Sequence, residues 1–261
     1  MADAVRRMRV FAGPNGSGKS TIKTLLEEDW IGVYVNADDI ERSWRETGAV
    51  DLKLFQIPDV PDLQERAREA FRNSGLLKKA TLNHLAERLE VQNGMVRLPD
   101  QPLNSYIAGA LADFIRRSLL EAELSFTFET VMSYKDKVEF MREAQERGYR
   151  TYLYFVATAD PLINVARVQS RVEQDGHPVA EAAIVDRYSK CMKLLGPAVA
   201  ASNRAYIFDN SGEGHVLLAE VAEGSEMELH EMELPEWFML SDLGRPLLNE
   251  SGSESEGAQA I

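Results

Sequence analysis

A parallel-sheet α/β architecture is the fold class this sequence predicts, and three observations predict it. A strand-like run, Met8-Arg9-Val10-Phe11-Ala12, leads straight into the glycine-rich stretch Gly13-Pro14-Asn15-Gly16-Ser17-Gly18-Lys19-Ser20-Thr21. Later apolar runs end in acids, at Asp38 and Asp39 and again at Glu129. A helical segment after Asp160-Pro161 is followed by a turn and a second helix, with arginines on both arms. Together they describe a sheet flanked by helices, elaborated by a helical and hairpin insertion and by a helix–turn–helix lid.

The first element carries the most chemistry. Gly13 to Ser20 satisfies G-x-x-x-x-G-K-[ST] between a strand and a helix, the context that makes the pattern a phosphate-binding loop. Small residues let successive backbone N–H groups curl around phosphate oxygens, and the helix starting near Lys19 adds its positive end. Residues 13–21, Gly13, Pro14, Asn15, Gly16, Ser17, Gly18, Lys19, Ser20 and Thr21, are therefore read as the nucleotide cradle. Lys19 is read as a charge in an exposed cleft, and Ser20 as the hydroxyl for Mg²⁺. The fold class is thereby the P-loop NTPase, kinase-like one.

The second run, Gly32-Val33-Tyr34-Val35-Asn36-Ala37-Asp38-Asp39, delivers its carboxylates where a strand ends. In parallel α/β sheets that edge is where ligands bind, so Asp38 or Asp39 is expected to face the phosphate loop. A carboxylate there repels a γ-phosphate unless it binds metal or takes the proton of an attacking hydroxyl, and the latter is what a kinase needs. Capping of the helix from Ile40 onward is the competing reading of the pair.

Between about residues 47 and 104 lies a section that the core does not require. Asp62 to Phe71 and Lys79 to Glu90 read as helices, and Val91-Gln92-Asn93-Gly94-Met95-Val96 carries the Asn-Gly turn of a tight hairpin. Substrate recognition and plain elaboration of the core both fit such an insertion. Tyr106 to Glu121 follows as a helix whose apolar stripe is Ile107, Leu111, Phe114, Ile115 and Leu119.

Ser125-Phe126-Thr127-Phe128-Glu129-Thr130 alternates like a strand and brings an acid and a hydroxyl to the same expected edge. Strands ending at Ala12, Asp38 and Thr130 are expected to converge, so that Lys19, Asp38 and Glu129 share a cleft. Asp136 to Arg147 reads as a helix closed by Gly148, and Tyr149 to Thr158 as a strand. The lid, about residues 160–195, opens with Asp160 as cap and Pro161 at the first helical position. It carries Arg167 and Arg171 on one helix face, a turn at Gln174-Asp175-Gly176-His177-Pro178, and Arg187 with Tyr188 on the second arm. Arginines so placed match phosphate geometry and keep their charge in a closing site. Ala205 to Ser211 is a strand and loop whose Asp209 is a rival magnesium ligand, although a place near the nucleotide base suits it better by analogy. His215 to Glu223 adds a strand, and Met227 to Phe238 packs or pairs beyond it.

These residues resemble a family: the zeta toxins and zeta-toxin-like small-molecule kinases, some of which phosphorylate UDP-N-acetylglucosamine. The likeness rests on residues 12–21, on Val35-Asn36-Ala37-Asp38-Asp39-Ile40, on Phe126 to Thr130, and on Arg171 to Val179 with Arg187-Tyr188. It covers most of the first two hundred residues. The resemblance implies that Asp38 is the general base, that Glu129 and Thr130 position substrate, and that the lid arginines clamp phosphates; Asp39, beside Asp38, is read as a further substrate-binding residue. It implies ATP (or GTP) and Mg²⁺ as cofactors and an antitoxin protein as partner. Ala37 stands where many relatives have proline, and Asp175 where a second glycine is common; neither change removes a chemical group.

Composition agrees with an enzyme of one α/β domain over residues 1–248. The chain has 261 residues, 44% of them hydrophobic, enough for a sizeable core. Of the net charge of −13, residues 213–261 account for −11, with twelve acids against Arg245 alone. The acidic balance therefore says little against an anionic ligand elsewhere. From Asn249 the serine, glycine and acid composition reads as a disordered tail, 249–261. One cysteine, Cys191, fits a reducing compartment and reads as a buried helical position. Without an apolar leader or an eighteen-residue apolar run, the expectation is a cytoplasmic protein acting on a small nucleotide-type molecule, with neither nucleic acid nor membrane as partner. Two classes fit: a kinase acting on a nucleotide sugar or on another nucleotide or nicotinamide nucleotide, and a nucleotide-hydrolysing switch. No Asn-Lys-x-Asp or Leu-Ser-Gly-Gly motif supports the switch.

Overall fold

The computed structural model describes residues 5–173 and 179–248. The turn expected at Gln174 to Pro178 and the tail expected from Asn249 lie outside the described residues. Contacts divide the chain into two units, Met1–Glu27 with Thr130–Ile261, and Glu28–Glu129.

The first unit opens with β1 (Arg7–Ala12), buried after its first residue, and α1 (Lys19–Lys23), a helix of only five residues. Glycine at 13, 16 and 18 separates the two. The second unit then runs through α2 (Glu28–Ile31), β2 (Val33–Val35) and α3 (Ala37–Thr47). Asn36 caps α3 by accepting from the Asp38 N–H at 3.0 Å, and Gly48 ends it with a φ of 72°. A short β3 (Val50–Asp51) leads into a 3₁₀ turn, Leu52–Phe55, and then α4 (Leu63–Asn73) and α5 (Gly75–Lys79).

The helix expected over Lys79 to Glu90 does not form. Ser74 caps α5 by accepting from Leu77 N at 3.3 Å, Thr81 takes a left-handed φ of 60°, and the chain continues as a 3₁₀ segment, Asn83–Arg88. Leu85, Ala86 and Leu89 are buried from this 3₁₀ segment and the residue after it. β4 (Glu90–Gln92) and β5 (Met95–Arg97) form the predicted hairpin, with Asn93 and Gly94 both at positive φ. β3 pairs on β5 as a third antiparallel strand. Next, α6 (Ser105–Glu121) starts at Asn104, which accepts from Tyr106 N and Ile107 N, and buries the whole predicted stripe against α3, α4 and α5. The unit ends with β6 (Phe126–Thr130), parallel to β2, with Val33 opposite Phe126 and Val35 opposite Phe128.

The rest of the first unit is α7 (Asp136–Glu146), β7 (Arg150–Ala157), the lid pair α8 (Pro161–Val172) and α9 (Glu181–Met192), and α10 (Leu195–Val199). β8 (Arg204–Asp209), β9 (Val216–Ala222), β10 (Glu226–Leu229) and α11 (Glu236–Met239) complete it. Its strands lie in the order β10-β9-β8-β7-β1. β1, β7 and β8 are parallel, the second unit being inserted between β1 and β7 and helices α8 to α10 between β7 and β8, whereas the short β8–β9 connection reverses direction and makes that margin antiparallel. Among the described residues no helix is long and apolar enough to cross a membrane.

Cys191 is fully buried on α9, and burial pushes its thiol up to about 12. A thiol held protonated and out of solvent is a packing group, so the native protein is expected to resist Ellman's reagent at about pH 8 and to react fully once unfolded in guanidinium. Prompt stoichiometric labelling of the native protein would contradict this.

Candidate active site

In the first unit, the glycines of the loop are fixed by what crowds them. A Cβ on Gly13, whose φ is 149°, would lie 2.1 Å from Val156 O at the end of β7. One on Gly18, whose φ is 92°, would lie 2.1 Å from Asn210 Nδ2, beyond β8. The loop therefore sits against backbone and side chain that only glycine tolerates. Lys19 is 6% exposed, not in an open cleft as its sequence position suggests. Its Nζ folds back over the loop and donates to Gly13 O at 3.0 Å and Pro14 O at 2.9 Å. Ser20 is exposed in the first turn of α1.

The lid helices are tied to this loop by side chains. Asp160 caps α8 through Leu162 N, as its Asp-Pro start predicts. Asn164, fully buried one turn on, donates to Asn15 O at 2.7 Å and accepts from Thr158 Oγ1. On α9, Tyr188 donates to Thr158 O at 2.6 Å, and Arg187 Nη1 reaches Asn15 Oδ1 at 3.5 Å. The two lid arginines on α8 differ. Arg167 donates to Asn210 O at 2.7 Å and Gly212 O at 3.2 Å, holding the loop after β8, whereas Arg171, one turn further, is exposed.

That loop is itself well anchored. Asn210 Nδ2 donates to Ser17 O at 2.8 Å, joining β8 to the phosphate loop. Asp209 accepts from Ser211 N, from Ser211 Oγ and, at 2.8 Å, from Trp237 Nε1 on α11. A carboxylate engaged by three donors is a poor magnesium ligand, which supports the loop reading of Asp209 over the metal one. Among the described residues no group of three or more His, Cys, Asp or Glu side chains is arranged to hold a metal.

The second unit gathers the other predicted residues. Because Asn36 is the cap of α3, neither Asp38 nor Asp39 is needed for that task. Asp38 is exposed in the first turn, and Asp39 pairs with Arg42 along the same helix. Glu129 Oε2 accepts from Tyr34 OH at 2.9 Å, and the same hydroxyl accepts from Asn36 Nδ2 at 3.4 Å. Burial first, and the Glu129 carboxylate second, push the Tyr34 phenol well above its usual range. Thr130 Oγ1, where the first unit resumes, accepts from Met132 N at 3.1 Å. Asn164, Asn210 and Tyr34 carry no motif signal; they are found only through their contacts.

The zeta toxin family model matches residues 102–217, which takes in α6, β6, the lid helices and β8 but not the phosphate loop or Asp38. An uncharacterised protein of Haemophilus influenzae is 24% identical over 178 residues, covering 68% of this chain and 89% of its own length. Among solved structures, a chain of the PezAT chromosomal toxin–antitoxin system of Streptococcus pneumoniae superposes with a TM-score of 0.48 at 14% identity, covering 98% of this chain and 88% of that one. The AvrRxo1-ORF1:-ORF2 complex with ATP gives 0.47 at 11% identity, covering 94% of this chain, which spans 63% of the length of the matched chain. The chain thus carries a glycine-rich phosphate loop between β1 and α1 and parallel core strands, and over the segment from α6 to β8 it is similar to the zeta toxins.

Proposed function

We propose that the protein is an ATP-dependent kinase that transfers a phosphoryl group to a hydroxyl of a nucleotide sugar resembling UDP-N-acetylglucosamine. The observation that carries this reading is the phosphate loop as folded: Lys19 held over Gly13 and Pro14, with Arg187 of the lid reaching Asn15 of the same loop. A lysine hydrogen-bonded to neutral carbonyls exchanges them for phosphate oxygens at a gain, since charge-assisted bonds are stronger. In this reading Arg187 and Arg171 neutralise the transferring group, and Arg167 holds the loop that borders the nucleotide. Asp38 takes the acceptor proton, while Glu129, with Thr130 and Asp39, orients the acceptor.

The loop fits a nucleotide and magnesium by its chemistry, with glycine backbone, one lysine and a hydroxyl at the start of a helix. Ser20 is the side chain that would meet the ion, which supplies charge neutralisation between the phosphates when bound. ATP is favoured, and GTP is the alternative. We further propose a zeta-type toxin whose restraint comes from a separate antitoxin chain.

The test is mass spectrometry of products after incubation with ATP-Mg and a panel of nucleotide sugars, nucleotides and nicotinamide nucleotides. A phosphate added to UDP-N-acetylglucosamine is the expected result. Phosphate on a nucleotide or nicotinamide nucleotide instead reassigns the acceptor, and release of inorganic phosphate with no acceptor modified favours the switch. Inducible expression in a bacterial host, parent beside Asp38→Asn, is expected to arrest growth with the parent only. Equal growth of the two strains removes the toxin reading.

A further inference from the structure

We propose that Tyr34 is a positioning residue that fixes the Glu129 carboxylate for the acceptor, with Asn36 tying the same phenol to the start of the Asp38 helix. The inference rests on the kinase reading above.

Strand geometry explains how these groups meet. Tyr34 on β2 lies opposite Thr127 on β6, and Glu129 is two residues beyond Thr127, on the same face. The other face is apolar: Val33, Val35, Phe126 and Phe128 are buried. Tyr34 therefore stands on the polar face as a diagonal neighbour of Glu129, close enough for its hydroxyl to reach Oε2 at 2.9 Å. The hydroxyl also accepts from Asn36 Nδ2 at 3.4 Å, and Asn36 Oδ1 accepts from Asp38 N at 3.0 Å. A single hydrogen-bonded chain thus runs from the Glu129 carboxylate through a phenol and an amide to the backbone of Asp38.

Packing alone does not account for a hydroxyl here, because a phenylalanine fills the same volume without a polar group to desolvate. Burial and the neighbouring carboxylate push the phenol up, so it remains a donor to Glu129 across any working pH. Glutamate has three rotatable side-chain bonds, and a fixed donor on one oxygen narrows its orientation before the acceptor arrives. That preorganisation lowers the cost of binding and aligning an acceptor hydroxyl.

The test is a double-mutant cycle on the full chain, Tyr34→Phe and Glu129→Gln singly and together, with ATP-Mg and the panel acceptor that is phosphorylated fastest. Tyr34→Phe is expected to raise the acceptor KM by about tenfold, the factor of one hydrogen bond to a charged group. The KM for ATP is expected to stay at the parental value, and the thermal midpoint to fall by no more than several degrees, so that the variant is fully folded in the assay. In the Glu129→Gln background the same change is expected to have less than about a twofold effect, since Tyr34 acts through Glu129. An unchanged acceptor KM, an effect that is undiminished in the Glu129→Gln background, or parallel losses in ATP binding and midpoint overturn the inference while transfer itself leaves the kinase reading standing. Absence of transfer to every panel member overturns the kinase reading and this inference with it.

Discussion

Lys19→Ala is expected to reduce phosphoryl transfer by about 10²- to 10³-fold, the range seen when one preorganised charge-stabilising group is removed from a transition state. The side chain is buried and its Nζ bonds two loop carbonyls, so a cost in stability accompanies the loss of activity. Leaving Gly13 O and Pro14 O without that donor costs about 1–3 kcal/mol if both stay dry and less if water enters. A loss of that size lowers the unfolding midpoint by several degrees without emptying the folded state. Transfer measured well below the variant's own midpoint therefore separates chemistry from folding. Activity within a few-fold of the parent under those conditions would falsify the role given to Lys19.

The sequence makes legible whatever is decided locally. The strand before the glycines, the Asp160-Pro161 start of α8, the Asn93-Gly94 hairpin and the apolar stripe of α6 all follow from short-range spacing and appear where expected. Where neighbours compete, the reading fails: Lys79 to Glu90 has helix-forming residues, but the Ser74 cap and the left-handed Thr81 break the run. The cap of α3 shows the same competition over two to three residues, since Asn36, not Asp38 or Asp39, takes it.

Contacts across long separations are invisible from spacing. Asn210 meets Ser17 across 193 residues, and Arg167 reaches Asn210 across 43, so an arginine that the sequence offers only as a phosphate ligand also holds a loop. Lys19, expected in an exposed cleft, is buried for a related reason. The motif's spacing does not show that the loop's own carbonyls, Gly13 O and Pro14 O, claim its Nζ in the folded chain.

Asp38→Asn is expected to lower turnover by about 10²- to 10⁴-fold while ATP affinity stays near the parental value. The substitution keeps size and polarity and removes the ability to take a proton. Because Asn36 supplies the cap and the Asp38 backbone N–H that it receives is untouched, α3 keeps its start. A small loss of stability remains, since a first-turn carboxylate favours the positive helix end by about 0.3–1 kcal/mol, and asparagine does not. That loss is too small to empty the folded state, so a deep fall in turnover in a well-folded variant reports chemistry. Asp38→Glu is the companion variant: it keeps the base but moves it by a methylene, and partial recovery of turnover is the signature of a misplaced proton acceptor. Parental turnover in Asp38→Asn, measured with the identified acceptor at saturating ATP, transfers the base to Asp39 or Glu129. Of those two, Asp39 is already paired with Arg42 and Glu129 with Tyr34, so each would have to take the proton on a carboxylate that another group already engages. That requirement is why Asp38, exposed and unneeded as a cap, is the carboxylate on which the reaction is expected to depend.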